Sequence, residues 1–160
     1  MKVEFKKVHP RAELPVRATD GSAGYDIKAC LDKDILLLAG ECQLIPTGLA
    51  IHINDPSIMA VLMPRSKRGA KEGLVLGNLS GVIDSDYIGQ WFVAAWNRNF
   101  GQPITIKDGD AIAQAIFVPV VHPEFEEVEG FTESTVRGDG GIAKNEDTSS
   151  RIERNNGVIS

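Results

Sequence analysis

Apolar and polar residues in this chain alternate with a period of two far more often than with the 3.6 of a helix. Val3-Glu4-Phe5-Lys6 alternates, and so does Gly48-Leu49-Ala50-Ile51-His52-Ile53. Short apolar runs follow at 58–63, 90–96, 103–106 and 111–121. Gly, Pro, Asn or Asp bounds each of them, as in Ala39-Gly40, Asn54-Asp55-Pro56, Asn97-Arg98-Asn99 and Lys107-Asp108-Gly109-Asp110. These residues accept the backbone angles of turns, so the punctuation separates strands. Many short strands at roughly ten-residue spacing predict an all-β sandwich or jelly roll. A single helical turn is expected at 66–71, which is rich in Lys, Arg and Ala. Trp91 and Trp96 stand an odd number of positions apart, which predicts opposite faces, one core and one interface.

The pattern changes near Phe131. Residues 132–160 carry Gly138, Gly140 and Gly141 among many polar side chains, with almost no apolar periodicity. The expected organisation is a β domain over 1–130 and a flexible C-terminal arm over 131–160. An extended arm of about 20 residues spans roughly 65 Å, against a radius of gyration of roughly 15 Å for the globule. Such an arm can reach a neighbouring subunit.

Composition adds bounds. Hydrophobic residues make up 42% and charged residues 24% of 160, ordinary for one globular domain. The net charge of -5 argues against a nucleic-acid scaffold, yet a small polyphosphate needs only a local cationic pocket. The Met1-Lys2-Val3 start has no apolar signal region, and no stretch approaches the ~20 apolar residues that span a bilayer. Cys30 and Cys42 are read as thiols in a reducing cytoplasm, and His9, His52 and His122 as dispersed structural residues.

Chemistry concentrates in Gly77-Asn78-Leu79-Ser80-Gly81-Val82-Ile83-Asp84-Ser85-Asp86-Tyr87-Ile88-Gly89-Gln90, a hairpin-like segment between apolar runs. Its glycines let a ligand approach the main chain closely. Asp84 is a candidate base, Asn78 can read a polar ring edge, and Tyr87 offers a flat face with a hydroxyl. Four further segments carry polar groups at strand ends. Ala23-Gly24-Tyr25-Asp26-Ile27 places a carboxylate at a strand's mouth. Pro64-Arg65-Ser66 puts a guanidinium and a hydroxyl where phosphate oxygens can sit. Gly109-Asp110-Ala111-Ile112-Ala113-Gln114 sets an amide into a strand, and Arg137-Gly138-Asp139-Gly140-Gly141 lies on the arm. Each alone has a plain structural reading as a turn, cap, salt bridge or satisfied core amide. Together they are poorly explained by coincidence.

In order, these segments resemble the five motifs of the trimeric dUTPases, with the likeness running from about Val3 to Gly141. It extends to Pro46-Thr47-Gly48-Leu49-Ala50 and Phe117-Val118-Pro119-Val120. The resemblance implies a distorted jelly roll assembled as a homotrimer with active sites shared between subunits. It implies Mg²⁺-dependent hydrolysis of dUTP to dUMP and pyrophosphate. By the same likeness Asp84 is the water-activating base, and the uracil and sugar fall to Asn78, Gly81, Val82, Ile83 and Tyr87. Arg65, Ser66, Gln114 and Arg137 are implied phosphate ligands, and Asp26 meets Mg²⁺ through water, the ion lying mainly on the phosphates.

Three departures bear on this expectation. Within the fifth motif (137–145), Ile142 stands where the family usually has a phenylalanine that stacks on uracil, and Lys144 follows in place of a small residue. Lys67-Arg68 follows Pro-Arg-Ser where small or apolar residues are usual, and reads first as a solvated helical face and second as extra attraction for phosphate. Ala111 replaces a frequent arginine. Two alternatives remain: a dUTP-binding regulatory protein of the same fold with low turnover, and a dCTP-processing relative, which needs a second carboxylate base at the hairpin.

Overall fold

The structure, a computed structural model, describes residues 1–136 and 138. Ten strands and one short helix occur among them: β1 (Glu4–Lys7), β2 (Tyr25–Lys28), β3 (Ile35–Leu37), β4 (Cys42–His52), β5 (Ile58–Met63), α1 (Ser66–Ala70), β6 (Leu74–Leu76), β7 (Gly81–Ile83), β8 (Gln90–Asn97), β9 (Ile104–Ile106) and β10 (Ala111–Pro119). All ladders are antiparallel. They build two four-stranded sheets, in the orders β1-β4-β8-β6 and β2-β10-β5-β7, with β3-β9 as a separate pair. The expected all-β, jelly-roll-like class holds.

The period of two works as side-chain sorting. Along β8, Trp91, Val93, Ala95 and Asn97 point into the core while Phe92, Ala94 and Trp96 point away from it. Trp91 is buried, and Trp96 lies half-buried with its indole N–H donating to the Gly40 carbonyl at 3.2 Å. Asn97 is buried without penalty because its Nδ2 donates to the carbonyls of Leu37 (3.0 Å) and Gln102 (2.8 Å). Its Oδ1 accepts from the Asn99 backbone N–H at 3.0 Å, so both polar atoms of the Asn97 amide have partners.

β4 runs much further than its alternating 48–53 part, straight through Pro46 and Gly48. The register against β8 shifts between Pro46 and Ala50, as at a bulge. Gly48 takes φ +68°, and a Cβ there would lie 2.8 Å from both Ala12 Cβ and Cys30 Sγ. The alternating part is thus only the end of a longer strand, with Gly48 at a kink inside it. Cys30 is buried beside His9 Nδ1 (3.2 Å), and burial pushes its thiol pKa up, which makes it a packing residue.

The segment 77–90 is not a self-paired hairpin. β6 before it pairs with β8 in the first sheet, while β7 within it pairs with β5 in the second. Residues 77–80 therefore cross from one sheet to the other. Residues 1–122 form one compact unit, and the described residues from 123 onward are set apart from it as a second. The described part of the second contains no helix or strand, and its Gly138 N–H bonds back to the Thr135 carbonyl at 3.0 Å.

Candidate active site

Asp26, Gln114 and Arg65 meet because of strand register. Gln114 on β10 stands opposite Asp26 on β2 and Met63 on β5, and Arg65 emerges just past the end of β5. Arg65 Nε lies 2.8 Å from Asp26 Oδ1, in a half-buried ion pair. Gln114 donates through Nε2 to the Pro64 carbonyl at 2.9 Å, which fixes the amide plane. Its Oε1 occupies the space of a missing side chain, since a Cβ on Gly24 would overlap that oxygen. Gly24, Asp26, Arg65, Ser66, Lys67 and Gln114 line one cleft of about 510 Å³. Three segments distant in sequence thus converge on an open pocket that offers hydroxyl, amide and guanidinium donors.

Arg68, expected on a solvated face, is not there. Its side chain is only 13% exposed, with Nη1 3.1 Å from Asp110 and Nε 3.1 Å from Glu72. The turn between β9 and β10 supplies Asp110, whose other role is to accept the Lys107 N–H at 3.0 Å. The Nη1 contact is a charge-assisted hydrogen bond that seats α1 against that turn, while the Nε contact to Glu72 is an ion pair without hydrogen-bond geometry. Lys67, by contrast, is exposed as expected.

Asp84 belongs to a different place. It lines a second cleft of about 540 Å³ with Ser85, Asp86, His52, Asn54 and Asp55. Ile83 pairs with Ala60, so Asp84 stands level with Met59, six positions before Arg65. At about 3.3 Å per strand residue the two are roughly 20 Å apart along β5. Within this chain Asp84 and Arg65 therefore line separate clefts.

The loops around Asp84 are tightly specified. The Asn54 N–H donates to the Ser85 carbonyl (2.9 Å) and the Tyr87 N–H to the Asp84 carbonyl (3.2 Å). Tyr87 is exposed, its hydroxyl donating to the Gln90 carbonyl at 2.9 Å. A Cβ on Gly89 would stand 2.5 Å from that hydroxyl, so glycine there leaves room for the ring. At the other crossover the Ser80 N–H reaches the Asn78 carbonyl at 2.7 Å around Leu79, which has φ +64° and is exposed. A leucine in the left-handed region costs roughly 1–2 kcal/mol, and such strain collects at functional loops. β7 is the edge strand of its sheet, so part of the Gly81, Val82 and Ile83 backbone faces away from β5.

Asn78 is exposed beside this edge. Arg137 and Ile142, together with Lys144, lie outside the described residues. Sequence reading gave Gly24 and Asn54 no role in the site, and Gly89 only a share in close ligand approach rather than room for the Tyr87 ring. The two glycines carry a signal only in their adjacency to Asp26 and Tyr87, and Asn54 none beyond its turn.

Among the described residues no group of three or more His, Cys, Asp or Glu can hold a metal ion, and no helix is long and apolar enough to cross a membrane. The dUTPase family profile matches residues 10–145. The deoxyuridine 5'-triphosphate nucleotidohydrolase of Cronobacter sakazakii is 55% identical over 145 residues, covering 88% of this chain and 94% of that one. The enzyme of the same name from Pectobacterium carotovorum is 56% identical with the same coverage. Among solved structures, the Staphylococcus bacteriophage 80alpha dUTPase with dUpNHpp aligns with a TM-score of 0.79 at 25% identity, covering 91% of this chain and 98% of that chain. A mutant dUTPase from phage phi11 of S. aureus, described for the coordination of a structural Mg(II) ion, aligns at 0.74 and 25% identity, covering 83% and 100%.

Proposed function

This chain belongs to the dUTPase family, and from that premise we propose how it hydrolyses dUTP to dUMP and pyrophosphate. The convergence of Asp26, Arg65, Ser66 and Gln114 on one cleft carries the reading, since these groups suit a phosphate chain. Asp84 orients a water for in-line attack on the α-phosphorus and accepts its proton late, as befits a weakly basic carboxylate. The water oxygen bonds to the α-phosphorus, and the bridging oxygen leaves with pyrophosphate. Arg65, Ser66, Gln114 and Arg137 bind the phosphates and offset the charge that develops on the leaving group. In the free chain Arg65 is held by Asp26, so an entering phosphate chain competes for the guanidinium.

A lone carboxylate in the cleft suits Mg²⁺, which prefers phosphate oxygens and water to a protein cage. Asp26 would hold the ion through water. When bound, Mg²⁺ neutralises charge along the phosphate chain.

Uracil presents acceptor, donor and acceptor on its pairing edge. The free edge of β7 at Gly81, Val82 and Ile83, together with the Asn78 amide, can match that pattern, whereas cytosine leaves buried polar groups unpaired. Ile142 covers the base by apolar contact in place of the usual aromatic ring. Tyr87 packs under the deoxyribose and obstructs a 2′-hydroxyl. Gly89→Ala, which drives a methyl into the Tyr87 ring, is expected to raise relative turnover of UTP about tenfold or more. Side-by-side kinetics with UTP and dUTP check this, and an unchanged ratio would remove Tyr87 from sugar selection.

The wide spacing of Asp84 and Arg65 supports a homotrimer in which each site takes the two residues from different subunits. The setting is cytoplasmic, the partners being dUTP and copies of the chain. Pyrophosphate release from dUTP, dCTP, dTTP and UTP, with Mg²⁺ and then with EDTA, tests the reading. Turnover of dUTP alone, lost on chelation, is the expected result. Equal turnover of dCTP would mark a dCTP-processing relative, and tight dUTP binding without turnover a regulatory protein.

A further inference from the structure

Three charged side chains line the phosphate cleft among the described residues: Asp26, Arg65 and Lys67. Two of them cancel, because Arg65 and Asp26 are paired at 2.8 Å. The neighbouring cation Arg68 is committed to Glu72 and Asp110. Lys67 has no ion-pair partner among the described residues and is exposed. It is therefore the cleft's uncompensated positive charge, facing the place where a polyanion is to be held.

Its backbone is also unusually well seated for a surface lysine. Arg68, next in the chain, ties α1 to the β9–β10 turn, and the Arg98 Nη2 donates to the Gly69 carbonyl at 2.9 Å. The Gly69 N–H in turn donates to the Arg65 carbonyl at 2.7 Å, and that of Lys71 to the Lys67 carbonyl at 2.9 Å. A flexible ammonium on a fixed base suits an anion whose oxygens lie along a chain, since it can follow them without bidentate geometry.

We propose that Lys67 is a further substrate-binding residue of this site, supplying a point charge to the triphosphate chain. This rests on the dUTP reading above. Lys67 contacts phosphates that are charged before and after the reaction, so its contribution falls on binding more than on the chemical step.

The test compares wild type, Lys67→Ala and Lys67→Arg in kcat, KM for dUTP, and inhibition by pyrophosphate and by deoxyuridine, at low and raised ionic strength. For Lys67→Ala we expect KM and the pyrophosphate inhibition constant to rise together roughly tenfold at low salt, with the gap narrowing as salt screens it. We expect kcat to change by less than about threefold, deoxyuridine inhibition to hold, and Lys67→Arg to restore most of the loss. Unchanged KM and pyrophosphate inhibition in an active enzyme would overturn the assignment of Lys67 alone. A parallel weakening of deoxyuridine inhibition would overturn it too, by pointing to a distorted fold. A wild-type protein that neither hydrolyses nor binds dUTP would remove the dUTP reading itself, and this inference with it.

Discussion

Asp84→Asn is expected to lower kcat for dUTP by roughly a thousandfold while KM stays within a few fold. The amide keeps the size of the carboxylate and can still orient a water, but it cannot accept the proton. Asp84 is exposed, and its side chain makes no hydrogen bond or ion pair among the described residues. The variant should therefore fold with the wild-type melting temperature. That separates a chemical defect from a structural one, which is seldom possible for a buried base. Wild-type kcat in this variant would move the base elsewhere.

The second expected result concerns two inactive proteins that repair each other. Arg65→Ala removes the cleft's guanidinium and should cost kcat/KM a hundredfold or more, on the order of one lost charge-stabilising donor. Asp84→Asn is disabled at the far end of β5, roughly 20 Å away. If a site takes Asp84 from one subunit and Arg65 from the next, a mixed trimer holds one intact site. Unfolding the two variants together in equal amounts and refolding them should recover about a quarter of wild-type activity. Each variant refolded alone should recover none. A mixture that stays inactive, from chains shown to exchange, would return the whole site to a single subunit and contradict the distance along β5.

Both results lean on features read at different levels. The pattern of alternation was enough for the all-β class, for the 90–97 strand and for the opposed faces of Trp91 and Trp96. Asp26, Arg65, Ser66, Asp84 and Gln114 stood out only jointly: each has a plain use as a turn, cap, salt bridge or core amide, but their segments follow one another in the order of the dUTPase motifs. The path of β4 was not legible. Its alternation shows only from Gly48 onward, and the strand runs back through Pro46 to Cys42 across a register shift, with Gly48 fitted against Ala12 and Cys30. The hairpin at 77–90 was misread for a related reason: neighbouring apolar runs suggest local pairing, while β6 and β7 find partners in different sheets.

The sequence by itself determined the all-β class, the alternation of faces along strands such as β8, turns such as 54–56 and 107–110, and the types of side chain available for chemistry. These follow from local rules, the two-residue repeat of a strand and the reactivity of single side chains. Only the tertiary structure decided that Arg68 is spent on Glu72 and Asp110 while Lys67 stays unpaired. It alone set Asp26 against Arg65, and put Asp84 in a separate cleft. Those outcomes depend on strand register and on which charges meet across long loops, and such pairings are fixed by the packing of the whole sheet rather than by any stretch of neighbours.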